Sequence, residues 1–350
     1  MTNFHQNILL SVIIPTRNRG YYVGDLLESL SGTIPVPFAW EVVVVDNGST
    51  DNTAEIVRIK QNSLPIQLRY VMEPHPGLHE GRHRGAAEAR GEYLAYLDDD
   101  MTVCPTWLNG VQPLLRHEGE AVVGRVLPKW VQAPPAWLAH MCKGKTFGYF
   151  ALLDLGENQQ SIECFFGGNL FIPRNRVFDL GGFHPDGFPT SMKFFRGDGE
   201  SGLYMKFLYA GFRLVYEPSA TAYHIISPER MTLKYLKSRA YNQGISDSFT
   251  DIRLKKGLYT FQRLALMKHV VRRFAKRLPI VLYAQYLYSL ARSKCLLDRE
   301  SAKVNYELNK SWLCGYNAHR DALSKVPELM DHVVRPSFLR LDKETYLNVE

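Results

Sequence analysis

The chain has 350 residues, 45% of them hydrophobic, and its 42 Lys and Arg against 35 Asp and Glu give a formal charge of +7. That composition excludes a disordered chain and allows a large core spread over roughly two domains. The positive balance suits a polyanionic partner such as nucleic acid, an acidic lipid surface or a phosphorylated ligand, and its sign does not choose among them.

The apolar run from Ile8 to Ile14 has no cationic leader and no small-residue cleavage site, and it runs straight into Pro15 and Thr16, so it reads as a first strand. As far as residue 100, short apolar runs (LLSVII, EVVVVD, IQLRYV, EYLAYLD) alternate with helix-length segments. This is the pattern of βαβ units around a mainly parallel sheet with helices on both faces. The predicted helices are Tyr22 to Leu30, a second opening at Asn52 with Glu55 completing a capping box, and a third from His79 to Ala89. Residues 101–165, with Pro128, Pro134 and Pro135 among Trp107, Trp130 and Trp137, read as a loop-rich insertion. Then follow CFFGGNLFIPR, a helix from Gly199 to Ala210, and two short strands, RLVY and ATAYH. The expected organisation is a domain over residues 1–228 and a basic helical region over 229–350. Cys104, Cys142, Cys164, Cys295 and Cys314 are scattered without a C-x-x-C pair, which argues against zinc or redox chemistry and for reduced thiols in the cytoplasm.

Three acidic signatures stand where strands end, the ligand-binding edge of an open α/β sheet. Asp46 ends an apolar strand before a polar Asn-Gly-Ser-Thr turn; it suits either hydrogen bonds to a base or ribose, or simple turn formation. Asp98, Asp99 and Asp100 follow a buried strand in succession, with Asp98 and Asp100 on one face. Burying three unpaired carboxylates is costly, and Mg²⁺ or Mn²⁺, which prefer oxygen ligands, would relieve the cost. Asp198 and Glu200 precede a helix, where the macrodipole favours an ionised carboxylate and where Asp198 would equally serve as an N-cap.

In order, SVIIPTRNR, VVDNGSTDNT, GRHRGAAEARGEYLAYLDDD, GGNLFIPR, GGF and GDGESG resemble the family 2 inverting glycosyltransferases with the GT-A fold, as far as His224. The resemblance implies a Rossmann-like α/β/α sandwich followed by an α-helical extension. It implies that Pro15, Thr16 and Arg17 line a nucleotide site, that Asp46 binds the base, and that Arg82 faces the nucleotide or its diphosphate. Asp98 and Asp99 would hold ribose and metal water; Asp100 would ligate Mn²⁺ or Mg²⁺, joined by Asp98 and His224. Asp198 would be the general base, with Gly168, Asn169 and Glu200 at the donor and acceptor sugars. His83 departs from the family's Asn after the arginine, and Gly197 from its Glu before the base. The implied reaction is transfer of one sugar from a nucleotide-diphospho-sugar, a UDP-sugar being expected, to a polysaccharide, glycan or lipid-linked hydroxyl, with no nucleic-acid partner.

Between Ile252 and Leu278 stand nine Lys or Arg and no acid, with apolar residues at helical spacing. This predicts a basic amphipathic helix that either packs on the catalytic domain or lies on an anionic membrane surface at its cytoplasmic face. The apolar stretch from Pro279 to Ala291 is too short to span a bilayer. A dehydrogenase would need G-x-G-x-x-G after the first strand, where this chain has P-T-R-N-R-G. A nucleotidyltransferase would need a glycine-rich, lysine-bearing loop there, and a glycoside hydrolase would need neither nucleotide nor metal. Processive synthases of the same family carry Q-x-x-R-W, which is absent. The alternative kept is a non-catalytic sugar-nucleotide-binding protein.

Overall fold

The computed structural model describes residues 8–144, 146–162, 166–258 and 278–339. Strands β1 (Ile8–Thr16), β2 (Ala39–Asp46), β3 (Leu68–Met72) and β4 (Tyr93–Leu97) pair in parallel in the order β3-β2-β1-β4. Helices Gly20–Ser31, Thr53–Ser63 and Leu78–Glu88 connect them. Leu10, Val12 and Ile14 of β1 enter one core cluster and Ile13 the opposite one, so the unbroken apolar run of β1 is explained by cover on both faces. The expected capping box does not form: Asn52 makes no side-chain cap, and Asp51 instead accepts from the Thr53 backbone N–H at 3.0 Å.

The expected loop-rich insertion needs correction. It holds β5 (Met101–Val103), the ten-residue β6 (Ala121–Trp130), and short strands β7 (Thr146–Phe147), β8 (Leu152–Leu153) and β9 (Gln160–Ile162). Proline disguised β6. Pro128 lies past Val122 and Val123, where β10 (Asn169–Pro173) pairs with β6, so its missing N–H costs no bond to that neighbour. The two expected short strands are one, β11 (Leu214–Ile226), whose register shifts between Glu217 and Ala222 around Pro218. The sheet is parallel through its first half and mixed overall, because β10 runs antiparallel to β4 and β6; its path is β3-β2-β1-β4-β10-β6-β11-β5.

After Ile226 the described residues form helices Leu233–Lys255, Pro279–Ala291, Leu296–Lys325 and Pro327–Val334. Leu236, Ala240, Leu308 and Trp312 belong to the same core cluster as Val12 and Val122, so helices Leu233–Lys255 and Leu296–Lys325 are built into the face of the sheet. The helices Leu233–Lys255 and Leu296–Lys325 touch at Gly244 and Gly315. A Cβ at Gly244 would stand 2.7 Å from the Tyr316 backbone nitrogen. Of the expected basic helix, Ile252–Lys255 ends the first of this pair and residues 259–277 lie outside the described residues. Among the described residues no helix is long and apolar enough to cross a membrane.

Candidate active site

The site forms along the carboxyl ends of β1 and β4. Arg82 is delivered by helix Leu78–Glu88, which lies close on β1 because two of its positions are glycine. A Cβ at Gly81 would sit 3.0 Å from Pro15, and one at Gly85 would collide with Ile13. The Arg82 guanidinium, almost fully buried, ends 3.2 Å from Asp98 Oδ1 and 3.5 Å from Glu200 Oε2. Its Nη1 has no hydrogen-bond partner among the described residues. Gly168 backs Asp98 so closely that a methyl there would press into the carboxylate.

The three successive carboxylates are neutralised by arginines, which corrects the expectation that burial alone demands a cation. Arg82 pairs with Asp98. Arg19 Nη1 lies 2.7 Å from Asp99 and 3.0 Å from Asp100, and Arg230 Nη2 lies 2.7 Å from Asp100. Asp99 also accepts from Thr16 Oγ1 at 2.8 Å. Burial pushes Asp99 up to about 6, with Arg19 opposing and Asp100 adding to the rise. Burial also acts to raise Asp100, but the guanidiniums of Arg230 and Arg19 oppose it, and this carboxyl is held well below the usual range.

His224 Nδ1 lies 2.7 Å from the Phe150 carbonyl, to which it can only donate. Arg230 Nη1 meets Nε2 at 2.9 Å, and a guanidinium has no lone pair, so Nε2 accepts. This nitrogen also lies 3.4 Å from Asp100 Oδ1, and its lone pair would become available to a cation there once Arg230 withdraws. This is the tautomer and the outer-shell support that a metal-binding histidine needs. Carboxylates of Asp98 and Asp100 with this imidazole nitrogen fit Mn²⁺ or Mg²⁺ chemically, although among the described residues no group of three such side chains is closely clustered.

Two cavities meet here. The smaller, about 330 Å³, is lined by Pro15, Thr16, Arg17, Asp98, Asp100 and His224, among others. The larger, about 670 Å³, extends under the C-terminal helices, and Glu200 lines both. Burial raises the Glu200 carboxyl; Arg82 opposes the rise and Asp186 and Asp98 add to it. Asp198 faces the larger cavity but its side chain is 2% exposed. It lies 2.6 Å from His184 Nδ1 and accepts from Thr250 Oγ1 at 2.8 Å.

Residues 11–175 match the family described as "Glycosyl transferase family 2". The chain carries a family 2 glycosyltransferase domain. Validoxylamine A glucosyltransferase of Streptomyces hygroscopicus subsp. limoneus is 36% identical over 121 residues, 34% of this chain and only 26% of that protein. Succinoglycan biosynthesis protein ExoM of Rhizobium meliloti is 25% identical, covering 63% of this chain and 69% of that one. Glucosyl-dolichyl phosphate glucuronosyltransferase of Haloferax volcanii is 24% identical, covering 69% and 77%. The solved mannosyltransferase PcManGT of Pyrobaculum calidifontis, in complex with GDP-Man and Mn²⁺, superposes with a TM-score of 0.55 at 20% identity, over 97% of this chain and 89% of that one. The fold is GT-A.

Within this glycosyltransferase fold Pro15, Thr16, Arg17, Arg82, Asp98, Asp99, Asp100, Gly168, Glu200 and His224 come together around the smaller cavity. Three residues implied by the resemblance do not line it, and one of them, Asp198, lines only the larger cavity. Asp46 turns back on its own loop, accepting from Ser49 N at 2.7 Å and Tyr70 Oη at 2.6 Å, while neighbouring Asn47 lines the cavity. Asn169 is fully buried and used by the fold: it accepts from Trp107 Nε1 at 2.9 Å and donates to the carbonyls of Arg125 and Ala220. Both departures from the family pattern have local causes. His83 Nε2 accepts the Phe183 N–H at 2.9 Å, and a Cβ at Gly197 would meet the Phe249 ring at 3.1 Å. Sequence reasoning missed Arg19 and Arg230. Their only signal was an arginine within a few residues of TR in the first motif and of His224 in the last.

Proposed function

We propose that the protein transfers a single sugar from a nucleotide-diphospho-sugar, expected to be a UDP-sugar, to a hydroxyl of a glycan or lipid-linked acceptor with inversion. The observation that carries this reading is the meeting of two unlike cavities at Glu200. One holds carboxylates, a histidine lone pair and the guanidiniums of Arg17, Arg19 and Arg82, which suit a diphosphate. The other is a polar chamber of a size for an acceptor. The ExoM and dolichyl-phosphate relatives, by their names, place similar chains in polysaccharide and lipid-linked glycan synthesis.

Arg82 would donate to the donor phosphates from Nη1, which makes no hydrogen bond among the described residues and only a 3.5 Å ion pair with Glu200. A divalent cation held by Asp98, Asp100 and His224 would supply charge neutralisation for the departing nucleoside diphosphate. The resemblance implied Asp198 as base, but the geometry favours Glu200. It is partly exposed, reaches both cavities and has a raised affinity for a proton, whereas Asp198 is held by His184 and Thr250 at the start of the same helix. Glu200 takes the proton of the acceptor hydroxyl as the opposite face of the anomeric carbon is attacked. Asp198 fixes the turn that presents it.

Glu200→Gln should lower turnover by about 10² to 10⁴ with nucleotide affinity retained. Near-normal turnover in that variant, with loss of turnover in a folded Asp198→Asn, would return the role to Asp198. We also place the protein in the cytoplasm against the inner face of a membrane. The exposed Ile280, Tyr283, Leu287 and Tyr288 of helix Pro279–Ala291, followed by Arg292 and Lys294, support that placement. Flotation with anionic but not neutral vesicles, reversed by salt, is the expected outcome; no flotation with either would remove the membrane from the reading.

A further inference from the structure

The larger cavity has walls the family motifs do not supply. Arg239, Asn242, Gln243 and Ser246 come from helix Leu233–Lys255, and Ser301 and Asn305 from helix Leu296–Lys325. The rings of Phe147, Tyr149 and Phe166 line the same cavity. The charged Arg239, and Arg196 paired with Asp186, are shared with the smaller cavity, and the wall away from it offers amides, hydroxyls and aromatic rings, the chemistry that recognises a polyhydroxylated ring: hydrogen bonds to its hydroxyls, apolar contact with its C–H face. Ser301 Oγ is buried in this wall and has no hydrogen-bond partner among the described residues, a cost that a ligand hydroxyl would remove. The volume of about 670 Å³ lies in the range of small-molecule sites and exceeds what one hexose needs. The chamber reaches Glu200, so a sugar seated there presents its hydroxyl to the base.

Resting on the donor-site reading above, we propose that the acceptor is a neutral glycan whose terminal two sugar units are gripped by Asn242, Ser301 and Asn305, so that the C-terminal helices set acceptor specificity. A bare isoprenoid phosphate does not match this wall. Its chain would be laid against amides and hydroxyls, leaving them unsatisfied.

The test uses saturation-transfer NMR on the full chain saturated with UDP and Mn²⁺, with cellobiose, lactose and N,N′-diacetylchitobiose as sugar probes and farnesyl phosphate as the lipid probe. At least one disaccharide should bind, and its binding should weaken about tenfold or more in Asn242→Ala/Asn305→Ala, with UDP affinity and thermal midpoint unchanged. Ser301→Ala, which removes only one hydroxyl, should weaken it about three- to tenfold and guards against a double variant that fails to fold. The proposal is overturned if none of the disaccharides binds, if farnesyl phosphate binds in their place, or if disaccharide binding survives both variants. Failure of the wild type to bind UDP, GDP or dTDP would instead remove the donor reading on which the proposal rests.

Discussion

Arg230 illustrates what single residues decide in this site. It spans His224 Nε2 and Asp100 Oδ2, two atoms that a divalent cation would use, so guanidinium and cation compete for one place. Arg230→Met should therefore tighten Mn²⁺ binding about tenfold by calorimetry without nucleotide, while His224→Ala should weaken it about 10- to 100-fold. Unchanged affinity in both variants would show that the cation sits elsewhere. The aspartate run and Arg82 were legible in the sequence because an apolar strand ending in carboxylates has few other uses. Arg19 and Arg230 were not, because their partners are remote in sequence: Arg230 and Asp100 meet only when β11 pairs with β5. Asn169 misled for the same reason. Its three partners, Trp107, Arg125 and Ala220, lie on separate elements, and a motif cannot tell a side chain satisfied by the fold from one turned to a ligand.

Close approach of elements, carried by glycine, sets the scaffold. Gly85→Val would drive a branched side chain into Ile13 and Val45, push helix Leu78–Glu88 off β1 and withdraw Arg82 from the cavity. Its expected cost is about 1–3 kcal/mol in urea unfolding, with donor affinity falling together with stability. Gly244→Val should separate the two long C-terminal helices with a similar loss of stability, yet leave nucleotide binding within about twofold, because Gly244 is flanked by Gln243 and Ser246 of the larger cavity, whereas this helix reaches the smaller one only through Tyr235 and Arg239 near its other end. Elements with strong periodicity were read from sequence nearly to their ends. Strand β6 was missed because Pro128 and Trp130 lie at its far end, and the split of β11 was overcalled because Pro218 interrupts one continuous strand.

At the scale of the molecule, stability should fall on acidification. Burial pushes His83 down to about 3 and His184, His319 and His332 down to about 4, so the folded state keeps these rings neutral. Unfolded, they bind protons below about 6.5, so the unfolded chain binds more protons and stability drops as pH falls from 6.5 toward 4. Each such histidine contributes about 1–2 kcal/mol of that loss at pH 5; Asp99, raised to about 6, works in the opposite direction. Thermal midpoints at pH 7 and pH 5 should differ by several degrees, and equal midpoints would contradict the buried neutral rings. The central claim is that Asp98, Asp100, His224 and Arg82 form one donor site for a nucleoside diphosphate and a cation. Calorimetric titration of UDP and GDP, with and without Mn²⁺, tests it most directly. The account predicts cation-enhanced binding of one nucleotide that Asp100→Asn reduces to its cation-free level; absence of binding by either nucleotide, or enhancement that survives Asp100→Asn, would contradict it.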